Sequence, residues 1–138
     1  MLPLIVSSII LTGSEGIKIM SRHIESSIQR QCVAWFRLQY PRYALLLVAN
    51  ANGGKRSSIE AAIMKGEGVT AGVADLTLYL PNDTHHGLCI EMKTAKGRQS
   101  EHQKIWQRLV QGAGYRYEVC RSLEEFQSLI RDYLKKNL

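Results

Sequence analysis

The feature that most constrains this chain is a pair of β-leaning apolar runs, residues 74–80 and 88–92, joined by Pro81-Asn82-Asp83-Thr84-His85-His86-Gly87. A stretch of turn composition between two such runs predicts a β-hairpin around which the other elements must pack. Side chains at i and i+2 share one face of a strand, so Glu91 and Lys93 point together while Met92 points away. If the two strands pair, Asp75 can lie across from Glu91. Two carboxylates converging at the end of an apolar hairpin repel each other, and a bound cation relieves that repulsion. Oxygen donors without a Cys or His cluster favour Mg²⁺ or Mn²⁺ over Zn²⁺. Lys93, aimed at the same spot, can hold an attacking water or neutralise charge developing on a phosphate. The same spacing also arises where Glu and Lys are only a charge pair on a wet sheet face. The flanking LTLYL and LCI runs argue against a wet face.

The rest of the chain from Met20 onward reads as an alternating α/β domain. A first helix is expected over residues 22–39, closed by Tyr40-Pro41. On a helical wheel Ile24, Ile28, Cys32, Trp35, Phe36 and Leu38 form one apolar arc, and Glu25 falls within it. That placement leaves two readings open: a further acid at the metal site, or a first-turn charge favoured by the helix dipole. Residues 43–49 (YALLLVA) form a continuous apolar run, the signature of a central strand covered on both faces. A basic loop over residues 50–56 follows, in which glycine-freed amides with Lys55 and Arg56 could hold a DNA phosphate, although the loop by itself reads more readily as a surface turn. A short serine-capped helix is expected over residues 57–65, ending at Gly66 and Gly68. After the hairpin comes a second basic loop, residues 94–99, with Lys96 and Arg98 as further candidate DNA contacts. Ser100-x-x-Gln103 is a capping box opening a helix over residues 101–111, with His102 exposed. Residues 115–120 alternate like a strand. Ser122-x-x-Glu125 opens a last helix whose Phe126, Leu129, Ile130, Tyr133 and Leu134 face the core.

With 138 residues the chain is long enough for one real core, and its formal charge of +6 suits a polyanionic partner, although a basic balance serves solubility equally well. Cys32, Cys89 and Cys120 sit in apolar contexts without CxxC spacing, which suggests buried reduced thiols in a cytoplasmic protein and argues against structural zinc. The apolar start of the chain lacks a basic n-region and a small-residue cleavage site, and is too short to span a bilayer as a helix. Glu15-Gly16 must be encoded by a purine-rich string resembling a bacterial ribosome-binding site just ahead of Met20. Translation is therefore expected to start at Met20, with residues 1–19 a doubtful extension and residues 20–138 a single domain.

Taken in order, these residues resemble the virus-type replication-repair nuclease (VRR-NUC) domain of the PD-(D/E)XK superfamily. The resemblance runs from Glu25 through Asn52-Gly53-Gly54, Gly68-Val69 and Gly72-Val73-Ala74-Asp75-Leu76 to Ile90-Glu91-Met92-Lys93-Thr94. It continues through Lys96-Gly97-Arg98-x-Ser100-x-x-Gln103-x-x-Trp106 and Gly114-Tyr115. Family members usually carry proline where this chain has Ala74, a position that supplies no ligand atom. The resemblance implies a restriction-endonuclease-like α/β core, a central mixed sheet flanked by helices. It implies Mg²⁺ (or Mn²⁺) held by Asp75, Glu91 and the backbone carbonyl of Met92, with Glu25 completing the acidic set. It further implies a catalytic Lys93 and a Gln103 that approaches the site from the following helix. A DNA endonuclease selective for Holliday junctions or other branched DNA, dimeric and from a phage or its bacterial host, is the expectation. A non-catalytic DNA-binding module and a sequence-specific restriction-type nuclease are the competing classes.

Overall fold

The computed structural model describes residues 4–6, 9–11, 13–51 and 56–136. The hairpin forms, with β4 (Leu76–Leu78) antiparallel to β5 (Leu88–Met92) and Leu76 opposite Ile90. Its long turn is held by Asn82, whose side-chain oxygen accepts from the backbone N–H groups of Thr84 and His85. The same side chain donates to the Tyr133 carbonyl, and the Tyr133 hydroxyl donates back to the Leu80 carbonyl at 2.7 Å. These bonds tie the turn to the last helix.

Around this hairpin stands a four-stranded mixed sheet in the order β3-β4-β5-β6. β3 (Leu47–Ala49) pairs antiparallel with β4, and β6 (Arg116–Cys120) pairs parallel with β5. Period-2 alternation then sorts the side chains. Leu76, Leu78, Leu88, Ile90 and Met92 pack under two helices, α1 (Gly13–Gln39) through Cys32 and Phe36 and α4 (Leu123–Lys135) through Phe126, Ile130 and Tyr133. Cys89 and Tyr117 face the other way, under Trp106 and Val110 of α3 (Glu101–Gly112). Phe126 is fully buried against this sheet, so Phe126→Ala would cost about 3–5 kcal/mol. The chain also carries a two-stranded pair, β1 (Leu4–Val6) with β2 (Ile9–Leu11), and a short helix α2 (Ser58–Gly66) capped by Ser57.

Three expectations need correction. Residues 43–49 do not form a central strand: a 3₁₀ turn occupies Pro41–Leu46, and only the last three residues join the sheet, at its edge. Pro41 sits at the start of that turn, where its fixed φ and missing N–H suit a helical turn and not a ladder. Leu45 is consequently 88% exposed, so the apolar run does not mark burial on both faces. The first helix begins at Gly13 instead of residue 22, because the Ile17, Met20, Ile24, Ile28 spacing extends the helical period past two discouraging glycines. Ile24 and Leu38, expected in the buried arc, lie at the surface, and Cys32 and Phe36 carry the contact with the sheet.

Candidate active site

One residue ahead of β4, Asp75 continues the hairpin register and stands opposite Glu91 near the end of β5. Its Oδ2 accepts from the Met92 backbone N–H at 2.7 Å, so the carboxylate is locked across the strand ends. Asn50, at the end of β3, fixes the same segment from the other side. Its N–H donates to the Asp75 carbonyl at 2.8 Å, and its side-chain amide donates to the Ala74 carbonyl and to Thr77 Oγ1.

Glu91 is only 2% exposed. Its Oε1 accepts from Gln103 Nε2 at 3.1 Å and lies 4.0 Å from Lys93 Nζ, whereas Oε2 is buried with no hydrogen-bond partner. Burial, then the adjacent Asp75 charge, then the hydrogen bond that only a protonated Glu91 could donate to Asp75, push the Glu91 carboxyl up to about 9. Lys93 opposes that rise. The Lys93 side chain is 13% exposed and its backbone N–H donates to the Cys120 carbonyl, so the parallel β5–β6 ladder carries it to the edge of the site.

Gln103 uses both ends of its amide. Oε1 accepts from the Ser100 N–H in the expected capping box, while Nε2 reaches Glu91, so helix capping and site contact are made by one side chain. The helix start is itself pressed against the loop before Asp75: at Gly72, with φ +88°, an added Cβ would collide with the His102 carbonyl. Glu25 approaches from α1, half-buried. Burial raises its carboxyl, the Lys93 charge lowers it, the Asp75 charge raises it, and a Thr94 backbone N–H bond lowers it.

Two recesses meet here. A groove of about 1000 Å³ runs along α1 and reaches Glu25, Asp75, Met92 and Gln103. A smaller cavity of about 420 Å³ on the α2 side reaches Asp75, Glu91 and Gln103 and is flanked by Arg56 and Lys65. Among the described residues no three His, Cys, Asp or Glu side chains form a ready-made metal cage. The convergent pair is Asp75 with Glu91, and hard divalent cations such as Mg²⁺ are commonly held by one or two carboxylates plus substrate phosphate.

The structure thus brings Glu25, Asp75, Glu91, Met92, Lys93 and Gln103 into one neighbourhood. The candidate DNA contacts are more scattered. Arg56 flanks the smaller cavity and donates to Met64 Sδ, Lys96 and Arg98 are exposed on the loop after Lys93, and Asn52 and Lys55 lie outside the described residues. Sequence reasoning missed two organising residues. Asn50 was read as part of a loop, although a lone amide closing an apolar run was a usable signal. Arg121 had no local signal: its guanidinium donates to the carbonyls of Thr94 and Gly97, both at 2.7 Å, and so shapes the basic loop from 24 or more residues away.

Comparison with known proteins agrees with this architecture. A solved structure described as a "VRR_NUC domain protein" superposes with a TM-score of 0.73 at 24% identity, over 83% of this chain and 90% of that one. No curated protein sequence matches the chain. The model of the VRR-NUC domain matches residues 15–124. That span covers most of the sequence and every site residue described above, and the chain therefore belongs to the VRR-NUC nuclease family.

Proposed function

We propose that this protein is a Mg²⁺- or Mn²⁺-dependent endodeoxyribonuclease that cuts branched DNA such as Holliday junctions. The observation that carries the reading is Glu91 Oε2, a buried carboxyl oxygen that no donor reaches once the carboxyl is ionised, set beside the fixed carboxylate of Asp75. An orphaned buried acceptor costs about 1–3 kcal/mol, more if charged, unless something satisfies it. A hard cation fits the all-oxygen donor set, with Asp75 and Glu91 as its side-chain ligands, the Met92 carbonyl beside them, and Glu25 across the groove. Bound there, the ion would supply polarisation of a water and offset negative charge on the phosphate.

The protein's own groups do the positioning. Gln103 orients the Glu91 carboxyl and the Met92 N–H orients that of Asp75, which limits the motion lost when substrate arrives. Lys93, next to Glu91, orients the attacking water and stabilises charge developing on the phosphate oxygens. A two-fold pair of chains would present two such sites to the two symmetric strands of a four-way junction. Three free buried cysteines fit a reducing bacterial cytoplasm, in a host or its phage.

The test is incubation of purified protein with labelled four-way junction, flap and linear duplex in Mg²⁺, Mn²⁺ or EDTA. Metal-dependent cuts concentrated at the branch are expected. Cleavage that persists in EDTA, or equal cutting of linear duplex, would overturn the reading.

A further inference from the structure

Most arginines outside α1 have structural employment. Arg116 pairs with Glu118 and Asp132, Arg121 holds the loop after Lys93, Arg131 lies over Trp35 and Arg42 over Tyr43. The cations of α1 differ. Among the described residues the ion pairs are formed by Lys93, Lys104 and Arg116, and Lys18, Arg22, Arg30 and Arg37 take part in none.

All four line the groove that runs along α1 to Asp75. At ~100° per residue they fall within about 120° of helix arc, and at ~1.5 Å rise they span roughly 28 Å. That length matches about eight base-pair steps of duplex, whose phosphate charge recurs every ~1.7 Å of axis. Scattered solvent charges would not share one concave wall that opens onto a carboxylate pair.

We infer that the α1 stripe of Arg22, Arg30 and Arg37, extended by Lys18 in the chain that begins ahead of Met20, is the main phosphate track of this protein, carrying a duplex arm of the substrate along the groove to the site. The inference rests on the nuclease reading and goes beyond it, because it moves the principal DNA contacts from the two basic loops to one face of a helix. Glu25 interrupts the stripe where the track meets Asp75 and Lys93, and the electrostatic reach of Arg22 extends to it. The backbone would thus be held by cations on both sides of the acidic centre.

The test is fluorescence anisotropy of a labelled four-way junction and a linear duplex, in EDTA to prevent cutting, over roughly 50–300 mM NaCl. Changing Lys18, Arg22, Arg30 and Arg37 together to Gln should lower the salt slope by about 3 to 4 and weaken binding near 0.1 M salt at least a hundredfold, since each lost phosphate contact removes ~0.9 from the slope. The charge-conserving Arg22→Lys/Arg30→Lys/Arg37→Lys variant should keep the wild-type slope, which separates charge from helix integrity. Lys135→Gln/Lys136→Gln, at the C-terminal end of α4, should change neither quantity per charge to a comparable degree. If wild type binds steeply and the quadruple variant binds with the same slope, the track is overturned while the nuclease reading stands. A wild type with no salt-dependent DNA binding overturns both.

Discussion

Replacing Glu91 by Gln should stabilise the metal-free protein, and increasingly so as pH rises. Below its ordinary value of 4.5 the carboxyl is protonated in both folded and unfolded chains. Above it the unfolded chain releases the proton, whereas the folded chain retains it until about 9. Between those limits the folded state binds one more proton, so wild-type stability falls with pH. One proton corresponds to about 1.4 kcal/mol per pH unit, so the penalty grows by roughly 2.7 kcal/mol from about pH 6 to about pH 8, both inside that window. Gln is isosteric, can accept from Gln103 as Glu91 does, and has no proton to lose. Urea unfolding of both proteins in EDTA at the two pH values isolates the effect, because the histidines and Glu25 are common to both chains. The stability difference should shift toward the variant by on the order of 2–3 kcal/mol. An unchanged difference would refute the buried, proton-holding Glu91 carboxyl.

Other substitutions separate chemistry from architecture. Asp75→Asn and Lys93→Ala should each reduce cleavage by factors of hundreds or more with the fold retained, as read by single-turnover assays alongside circular dichroism. Asp75→Asn keeps an acceptor for the Met92 N–H, so a melted variant would contradict the assignment of Asp75 to chemistry. Ser100→Ala removes only the cap of α3 and should cost about 1 kcal/mol of stability with little loss of cleavage. Gln103→Ala should lose a similar stability and also activity, since its amide reaches Glu91. Equal activity in the two variants would confine Gln103 to capping. Gly72→Ala should lower stability by about 1–3 kcal/mol or more, because the new methyl group meets the His102 carbonyl and φ is positive; an unshifted thermal midpoint would contradict that packing.

The hairpin and its Asp75, Glu91 and Lys93 were legible because they depend on period-2 alternation and a turn-rich connection, both local. Gln103 was legible as a cap from Ser100-x-x-Gln103, its approach to the site came only from the family resemblance, and its bond to Glu91 came only from the structure. Burial was less readable. YALLLVA reads as an inner strand, yet its placement depends on where Pro41 lets the sheet begin, and Leu45 ends in solvent. Gly13 and Gly16 hid the first turns of α1, since glycine weakens any helix expectation. Asn50 and Arg121 act through contacts far along the chain, and no spacing rule announces such partners.

Calorimetric titration of the metal-free protein with Mn²⁺, near pH 7.5 and in buffers of different ionisation enthalpy, bears most directly on the carboxyl pair. Cation binding to Asp75 and Glu91 must displace the proton that Glu91 holds, so close to one proton should be released per ion bound. Glu91→Gln should abolish that release and weaken binding, and Asp75→Asn should weaken binding sharply. Tight Mn²⁺ binding with no proton release, or binding unchanged in both variants, would contradict a metal site built on these two residues.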